Sequence, residues 1–528
     1  MPGGRLKILR VAAAMIVFTG LTAAFVDFRG AVPVAVGHEL ASIQLVPSLV
    51  ALVAGTGLAV AALVVLGVTL LVGRVYCSAV CPLGIFQDLV TRVAGWIRGS
   101  RRLLPYRPAR TWLRQVFFWG VVVAVAAGGA GLTLSLADPY SIFGRLMSDL
   151  VRPVVTLANN AVVGIGTALG SEALYRVAPP WPGVGVLAVT AAMGVLLVGL
   201  AAWRGRIYCN TFCPVGTLLG LVADRSALRL SLNKSACRKC GDCLQVCKAQ
   251  CIDLRAGTID SSRCVACYNC IGACPEQGIG YRWRWSRSPQ AKVAPPAARA
   301  ETAVASPPRR ALLAATAASL VAVSGAGRLL AATVGGPALA LKGSRAICPP
   351  GAGGVDRFLD RCTACHLCVS ACPTHVLQPA FLEYGLAGLL RPRLDYRAAF
   401  CNFDCRKCAE VCPDGAIDLL ALAQKQVTRI GVAELVVDKC IVKTKGTDCA
   451  ACSEHCPTKA VETVPFGDNL RLPQLNPDWC IGCGACEYAC PAQPTKAITV
   501  VGRLVHDQVV RRVQEKATDP RRGGAFPF

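Results

Sequence analysis

The segment GRVYCSAVCPLG, residues 73–84, returns as GRIYCNTFCPVG at residues 205–216. Both copies keep Gly, Arg, Tyr, two cysteines, Pro and Gly at the same spacing, and each follows an apolar run. The repetition predicts two helix pairs, each ending in a CxxxCP element. Two thiols are too few to hold a metal cluster, so we expect the elements to share one additional metal or iron–sulfur centre between the halves. The alternative is buried or free thiols. The four residues are Cys77, Cys81, Cys209 and Cys213.

The composition of the 528 residues favours a membrane protein. Hydrophobic residues make up 54% of the chain, charged residues 16%, and the mean hydropathy is +0.48. Four apolar stretches approach the ~20 residues that cross a bilayer. The net charge of +25 comes largely from arginines that flank these stretches. Arginines in that position set topology, so the charge does not indicate nucleic-acid binding. The predicted spans are Ile8–Val26, Ser48–Val72, Val116–Ala137 and Val184–Trp203.

Loop charges predict the orientation of these spans. The loops after the second and fourth spans are rich in arginine, so the positive-inside rule places the N-terminus and both CxxxCP elements on the cytoplasmic side. The apolar stretch Val154–Leu169 carries Asn159 and Asn160 in its middle, and we interpret it as an interfacial or re-entrant segment. If it crossed the bilayer, the fourth span would invert and the two elements would not share a site.

Twenty-four of the 30 cysteines fall into six runs of four. This grouping indicates metal ligands rather than the disulfides of a short secreted chain. The first two runs, CRKCGDCLQVC and CVACYNCIGACP, have the spacing of two-cluster ferredoxins, in which the fourth cysteine of each run ligates the other cluster. Zinc sites typically use separated pairs instead. We expect two [4Fe–4S] clusters, one held by Cys237, Cys240, Cys243 and Cys274, the other by Cys264, Cys267, Cys270 and Cys247.

The C-terminal part contains four more runs, and two of them have a longer first gap. A longer gap changes the loop but not the number of ligands, so we expect four more [4Fe–4S] clusters, six in all. We expect the first run to exchange its fourth cysteine with the fourth run, and the second with the third. The ligands are Cys362, Cys365, Cys368 and Cys372; Cys401, Cys405, Cys408 and Cys412; Cys440, Cys449, Cys452 and Cys456; and Cys480, Cys483, Cys486 and Cys490.

Some residues near the runs need a separate interpretation. CTACH, at Cys362–His366, matches a haem c attachment motif, but both cysteines are needed for iron, so we expect no haem there. Cys251 and Cys348 belong to no run. The histidines beside the clusters are expected at the surface; they are His366, His375 and His455.

The predicted fold is an α-helical membrane domain of four transmembrane helices in two repeats, with a candidate fifth, plus α+β bacterial-type ferredoxin domains. Arg309–Arg310 before a mildly apolar run is typical of a Tat-type export signal, and Ala338–Ala340 fits a cleavage site. The parts are the membrane domain (1–230), a two-cluster ferredoxin domain (231–285), a linker (286–308), the Tat-like or fifth transmembrane segment (309–340) and a four-cluster ferredoxin domain (341–528).

These motifs together resemble a known family. Residues 1–290 are similar to the NapH/MauN-type membrane polyferredoxins, with four spans, two RxYCxxxCPxG elements and a two-cluster ferredoxin. Residues 309–500 resemble the NapG-type four-cluster ferredoxin, with the twin arginine and Pro349–Ala352. The resemblance implies a fusion of the two, which oxidises quinol and passes electrons to a periplasmic reductase.

Many cluster sites without a nucleotide-binding or triad motif indicate electron transfer rather than a stand-alone catalyst. We expect a multi-pass protein of the inner membrane with a cytoplasmic N-terminus and a periplasmic C-terminal domain. Its partners would be the lipid bilayer, a donor (quinol or a cytoplasmic protein) and an acceptor reductase. The alternative function is metallocentre maturation or redox-linked regulation. Quinone contacts are expected in the outer loops, at Asp27, Arg29, His38, Asp138 and Tyr140.

Overall fold

The computed structural model describes residues 3–53, 59–98, 106–126, 130–170, 175–285, 346–467 and 469–510. The linker, the Tat-like segment and the predicted cleavage site lie outside these residues, so the fifth span stays a prediction. The described part forms a helical domain followed by two cysteine-rich domains.

The helical domain contains fewer long helices than the sequence predicts. Gly4–Val26 and Val184–Arg204 are long and apolar enough to cross a bilayer, and Val34–Ser42 with Leu45–Leu52, bent by 79°, makes a third if the pair is one span. The second and third predicted spans each contain two shorter helices. The helices are α1 (Gly3–Val26), α2 (Val34–Ser42), α3 (Leu45–Val53), α4 (Ala59–Val72), α5 (Tyr76–Ala79), α6 (Pro82–Ile97), α7 (Thr111–Ala124), α8 (Ala130–Ala137), α9 (Pro139–Arg145), α10 (Arg152–Ala168), α11 (Val184–Arg204) and α12 (Pro214–Ala223), with π-helical turns at Leu146–Val151 and Tyr208–Phe212.

Helix α10 covers the ambiguous stretch around the paired asparagines. The chain after it turns back along it, since the Asn160 side chain bonds both the backbone oxygen of Val177 at 2.7 Å and its backbone nitrogen at 2.9 Å. The next helix, α11, then begins against Phe381 of the C-terminal domain, where Gly185 leaves room for the ring. Arg152, at the start of α10, also contacts that domain through Val369. The stretch therefore starts and returns at one end of the helical domain.

The first cysteine-rich domain is small and rests on the helical domain. Its core surrounds Leu230 and Ile279 on the two outer strands. The Tyr281 hydroxyl donates to the backbone oxygen of Val72, at the end of α4. Its elements are β1 (Leu228–Leu232), which pairs antiparallel with β4 (Ile279–Trp283), β2 (Ile252–Asp253), which pairs with β3 (Thr258–Ile259), and the helices α13 (Asp242–Val246) and α14 (Asn269–Ala273).

The C-terminal domain, residues 346–510, consists of three antiparallel strand pairs with short helices between them. The longest pair brings Ile498 opposite Leu435 and so joins the end of the domain to its middle. Its strands are β5 (Leu377–Pro379) with β6 (Pro392–Leu394), β7 (Thr428–Leu435) with β10 (Ile498–Gln508), and β8 (Val461–Phe466) with β9 (Leu470–Leu475). Its helices are α15 (Val355–Arg361), α16 (Leu367–Ala371), α17 (Lys407–Glu410), α18 (Leu422–Lys425), α19 (Ile441–Lys445), α20 (Ala451–Glu454) and α21 (Ala485–Ala489).

The two cysteine-rich domains lie at opposite ends of helix α1. Leu6, near its start, packs into the core of the first domain, and α1 also contacts α14 there. Near its end, Phe25 lies beside Gly144, and α1 contacts α16 of the C-terminal domain. A Cβ atom on Gly144 would stand 2.2 Å from the backbone oxygen of Cys365, so only glycine permits this contact. The C-terminal domain is thus docked directly against the helices.

Candidate iron–sulfur centres

In the first cysteine-rich domain the structure brings the first three cysteines of each run close to the fourth cysteine of the other. A cavity there is lined by the first three thiols of one run and by Cys274 of the other. Burial raises the pKa of Cys270, and Cys247 of the first run raises it further together with the thiols of its own run. The two sets that the structure brings together are Cys237, Cys240, Cys243 and Cys274, and Cys264, Cys267, Cys270 and Cys247.

In the C-terminal domain the predicted pairing of runs is wrong. Two cavities show that neighbouring runs exchange their fourth cysteines: the first with the second, and the third with the fourth. Burial raises the pKa of the first three thiols of the first run, and Cys412 of the second run raises it further. Burial likewise raises the pKa of the first three thiols of the fourth run, and Cys456 of the third run raises it further. The sets are Cys362, Cys365, Cys368 and Cys412; Cys401, Cys405, Cys408 and Cys372; Cys440, Cys449, Cys452 and Cys490; and Cys480, Cys483, Cys486 and Cys456.

The four regular runs, in which the first three cysteines have the spacing CxxCxxC, contain residues with left-handed backbone conformation. In each of them the residues before and after the second cysteine have positive φ, as at Ala266 (46°) and Tyr268 (60°). Non-glycine residues rarely adopt this conformation, so it indicates a loop constrained to turn its thiols inward. In the two runs with a longer first gap, the residue after the second cysteine is not left-handed. Arg406 has φ −126° and Ala450 has φ −118°.

The two cysteines outside the sets, and the three histidines near the runs, lie in different surroundings. Cys251 is buried with its Sγ 3.7 Å from the Sγ of Cys247, and Cys348 Sγ lies 3.2 Å from Nε2 of His506. The surface position predicted for His366 is wrong: it is 1% exposed, with Nδ1 2.9 Å from Asp149 Oδ1 of the helical domain. His375 is half-buried, and burial and then Arg152 lower its pKa to about 4. The exposed histidine is His455.

The two CxxxCP elements come together inside the helical domain. Their four thiols are 3–4% exposed. Burial raises the pKa of Cys81 and Cys213, and the neighbouring thiols of both elements raise it further. Each element ends in a helix that starts with Pro and Gly, and Gly216 N donates to Cys213 Sγ at 3.3 Å. We name the group Cys77, Cys81, Cys209 and Cys213 the four-cysteine centre.

The arginines of the two repeats hold this centre together crosswise. Arg74 donates to the backbone oxygen of Cys209 at 3.4 Å, and Arg206 donates to the backbone oxygen of Cys77. Both guanidinium groups are fully buried. Each arginine therefore ties its own repeat to the first cysteine of the other, which gives the centre an approximate twofold arrangement.

The charges around the two arginines are unequal. Arg206 Nε lies 2.7 Å from Oδ1 of Asp88, whose Oδ2 is 3.0 Å from Lys248 Nζ. Burial alone would raise the pKa of Asp88, but Arg206 and Lys248 outweigh it and lower the pKa to about 2. Among the described residues, Arg74 makes no ion pair with a carboxylate and reaches instead to Cys77 Sγ at 3.7 Å. A buried cation without a paired carboxylate is destabilising unless other negative charge lies nearby. A thiolate-bound metal centre would supply that negative charge.

Four thiols around a cavity fit a [4Fe–4S] cube, in which each thiolate binds a different iron. Within the described residues, no three Cys, His, Asp or Glu side chains are close enough together to hold a single metal ion. The six cysteine sets and the four-cysteine centre thus have the donor type and number for a cluster each, and the cluster would supply one-electron chemistry there.

Comparisons with known proteins agree with this geometry. A family model described as a 4Fe-4S binding domain matches residues 53–103 and 184–233, which include the four-cysteine centre, and another of that description matches 261–278. A 4Fe-4S dicluster domain matches 361–417 and 445–494. The ferredoxin-type protein NapF of Escherichia coli (strain K12) is 30% identical over 156 residues, which are 30% of this chain and 87% of NapF. The chain belongs to the NapF/NapH/MauN group of ferredoxin-type proteins.

Two further members of this ferredoxin-type group match over longer stretches but smaller shares of their own length. The methylamine utilization ferredoxin-type protein MauN of Paracoccus denitrificans is 30% identical over 196 residues, 37% of this chain and 55% of MauN. NapH of Escherichia coli (strain K12) is 27% identical over 222 residues, 40% of this chain and 63% of NapH. No solved structure matches the chain.

Sequence reasoning missed the side chains that hold the four-cysteine centre of this ferredoxin-type protein. Gln87, whose Nε2 is 3.3 Å from Cys209 Sγ, and Asp88 lie in a helix that showed no motif. One signal was available: Lys248 follows Cys247 where a proline usually stands. That lysine pairs with Asp88, and its backbone oxygen accepts from Arg206 N at 3.2 Å.

Proposed function

We propose that this iron–sulfur electron-transfer protein carries electrons across the inner membrane, from quinol or a cytoplasmic donor to a periplasmic reductase. Six [4Fe–4S] clusters would occupy the cysteine sets, and a seventh metal or iron–sulfur centre would occupy the four-cysteine centre. The observation that carries the proposal is that the cysteine sets follow one another without a break from the first cysteine-rich domain, through the helices, to the far end of the C-terminal domain.

The first junction joins the Cys264 set to the four-cysteine centre. Arg74 spans it, with Nη2 at 3.7 Å from Cys77 Sγ and Nη1 at 2.9 Å from the backbone oxygen of Ser262. Ser262 lies two residues before Cys264. The hydrogen bond from Cys251 lowers the pKa of Cys264, and the charge of Arg74 makes a smaller contribution in the same direction. One guanidinium group therefore contacts both sites.

The second junction joins the four-cysteine centre to the C-terminal domain. Arg145 is fully buried there, and its Nη1 donates at 3.4 Å to the backbone oxygen of Ala364, the residue before Cys365. Burial lowers the pKa of Arg145 to about 10, and Asp149 and Asp138 oppose that shift most, followed by Tyr208, next to Cys209, and Cys365. Protein atoms, rather than an open gap, thus connect the two sites.

The third junction lies within the C-terminal domain. Cys401 N donates to the backbone oxygen of Cys483 at 3.0 Å, so the second run touches the fourth. Together with the exchanged fourth cysteines, this contact orders the sets of the domain. Each set is named by its first cysteine, and the sets follow one another in space in the order Cys362, Cys401, Cys480 and Cys440.

The length of helix α1 supports a series of cysteine sets that runs across the membrane. Its 24 residues give it a length of about 36 Å, enough to cross the hydrocarbon core. We place four spans in the membrane, as the sequence predicts, with the N-terminus in the cytoplasm and the C-terminal domain in the periplasm. The two cysteine-rich domains at opposite ends of α1 support that placement.

The proposal is tested by interrupting the series at its centre. Full-length protein is reconstituted into vesicles, and the chains whose first cysteine-rich domain faces outward are reduced by dithionite, which does not cross the bilayer. In the wild type, EPR should show reduced clusters on both sides. In Cys213→Ser only the outer clusters should become reduced.

Cys348→Ser is the matched control, because Cys348 is also a buried thiol but belongs to no set. It should behave like the wild type. Equal reduction of the inner clusters in Cys213→Ser and wild type would contradict a path through the four-cysteine centre. A wild-type protein without iron would contradict the proposed function as a whole.

A further inference from the structure

A cavity lies where the helical domain meets the C-terminal domain. Its volume is about 430 Å³, within the range of small-molecule sites. One wall comes from the loop between α1 and α2, around Phe28 and Val34, and the other from α16 and the residues after it. Cys372, which belongs to the Cys401 set, forms part of that second wall. Anything bound there would touch a proposed cluster ligand.

Three buried polar atoms of the cavity walls have no hydrogen-bond partner among the described residues. They are Ser370 Oγ, His375 Nδ1 and Arg152 Nε. Ser370 is 4% exposed and Arg152 is 2% exposed, so solvent does not satisfy them. A buried polar group without a partner is costly, and sites of this kind are typically satisfied by a ligand or an ordered water. The rest of the wall is polar and apolar in about equal measure, and Leu367 and Val411 belong to its apolar part.

Two other polar side chains at the cavity, Asp27 and Arg29, already have partners. The Asp27 carboxylate accepts from the backbone nitrogens of Arg29 and Val32, at 2.9 and 2.7 Å. Arg29 donates to Asn159 Oδ1 at 2.6 Å and stacks on Tyr175. Of the quinone contacts expected from the sequence, only Asp27 and Arg29 line this cavity. The remaining three do not line it; they are His38, Asp138 and Tyr140.

We propose that this cavity binds the ring of a quinol, with its oxygen atoms at Ser370, His375 and Arg152 and its tail directed along α1 and α2 towards the bilayer. The inference rests on the proposed function, since it takes quinol as a donor of that function. It places the entry of quinol electrons at the C-terminal end of the series, from which they reach the reductase without passing through the four-cysteine centre. A quinol ring has apolar faces and two hydroxyl groups on opposite edges, which matches a mixed wall with apolar residues such as Leu367 and Val411 and separated unpartnered polar atoms. An anionic lipid headgroup would match the nearby cations Arg29 and Lys407 but would leave the apolar part of the wall without a partner.

The redox step balances with the proposed clusters as oxidants. Both O–H bonds of the quinol break, giving the quinone, two protons and two electrons. The electrons leave one at a time to oxidised [4Fe–4S] clusters, first at the Cys401 set that contains Cys372. The protons leave to water at the mouth of the cavity, where Arg29 and Gly30 are exposed.

The test measures quinone binding and cluster reduction separately. The full chain is purified without air in mild detergent, and binding of decylubiquinone is measured by equilibrium gel filtration. Reduction by decylubiquinol is then followed by EPR, with dithionite as the reference for total reducible cluster. We compare His375→Gln and the cavity-filling Ser370→Leu with His455→Gln, an exposed histidine beside another run.

We expect about one quinone per chain in the wild type and in His455→Gln. Both cavity variants should bind at least about tenfold more weakly, as for loss of one buried hydrogen bond, with the dithionite-reducible cluster unchanged. Unchanged binding in both would overturn the site while the proposed function stands. Loss of co-purified phosphatidylglycerol instead of quinone would assign the cavity to lipid. No binding or quinol reduction in wild type would overturn the site and the quinol donor, whereas the vesicle experiment still decides transfer across the membrane.

Discussion

The four-cysteine centre and the ferredoxin runs gather the same kind of side chain in opposite ways. In a regular run, three thiols are neighbours in sequence, and left-handed residues such as Ala266 turn them inward. In the four-cysteine centre, the thiols come from two distant segments, and the buried side chains of Arg74 and Arg206 hold them crosswise. The comparison teaches that a cluster site can be specified locally by the backbone or at long range by charged side chains. The second kind is more easily broken.

The largest expected effect is the loss of the crosswise support. Arg206→Met should lower the free energy of unfolding of the helical domain by about 3–5 kcal/mol, because it leaves Asp88 buried without its closest cation. It should also remove iron from the four-cysteine centre. The measurement is SDS unfolding in mild detergent, followed by far-UV circular dichroism, with iron analysis of the folded fraction.

Arg238→Met is the control for that prediction. Arg238 pairs with Glu276, but its side chain is 75% exposed, so the change should stay within about 1 kcal/mol. If both variants lost similar stability, the contrast between buried and exposed support would be incorrect.

The close approach of helix α6 to the first CxxxCP element gives the next effect. In Gly84→Ala the new Cβ would lie 2.3 Å from the backbone oxygen of Cys77, so we expect a loss of about 1–3 kcal/mol and a distorted centre. Gly95→Ala, in the same helix, meets open space and should be neutral or slightly stabilising. The same unfolding assay, with the EPR spectrum of the centre, distinguishes the two. A stable Gly84→Ala with an unaltered spectrum would show that the approach is looser than the structure has it.

Acid should weaken the helical domain through Asp88. Its pKa is about 2 in the folded chain and 3.8 ordinarily, so the folded state binds fewer protons. The stabilisation is therefore complete above about pH 4, is lost progressively between about pH 4 and 2, and amounts to about 2 kcal/mol. Unfolding followed across this pH range should show the loss in the wild type and not in Asp88→Asn. If the free energy of unfolding fell equally with pH in both proteins, the acid sensitivity would come from other carboxyl groups.

The smallest effect tests the backbone side of the comparison. Ala266→Gly should leave the first cysteine-rich domain unchanged or stabilise it by about 1 kcal/mol, because glycine adopts φ 46° without strain. Ala450→Gly, next to the second cysteine of a long-gap run at φ −118°, should destabilise the C-terminal domain by roughly 0.5–1 kcal/mol. Thermal unfolding of the two domains gives both values. If both substitutions changed the stability in the same direction, the two kinds of run would use the same loop conformation.

Local features of this chain could be predicted from the sequence, and long-range ones could not. Cysteine spacing and the GRxYC repeat predicted the sets of the first domain and the meeting of Cys77 with Cys209. Spacing within a run contains no information about which neighbour folds against it, so the C-terminal exchange was predicted wrongly. His366 was misplaced for the same reason, since its burial depends on Asp149 of another domain. Apolar length predicted four spans, but it does not show where a helix divides, as within the second and third of them.

The exchange of fourth cysteines also governs the order in which the protein can be made. A ribosome finishes Cys368 well before Cys412, so the Cys362 set stays one ligand short until the next run has emerged. The wait is longest at the four-cysteine centre, where Cys77 and Cys81 need Cys209 and Cys213 from the other repeat. Cluster insertion therefore follows synthesis in pairs of runs. An unfinished chain exposes incomplete thiol sets to oxidants and to competing metals.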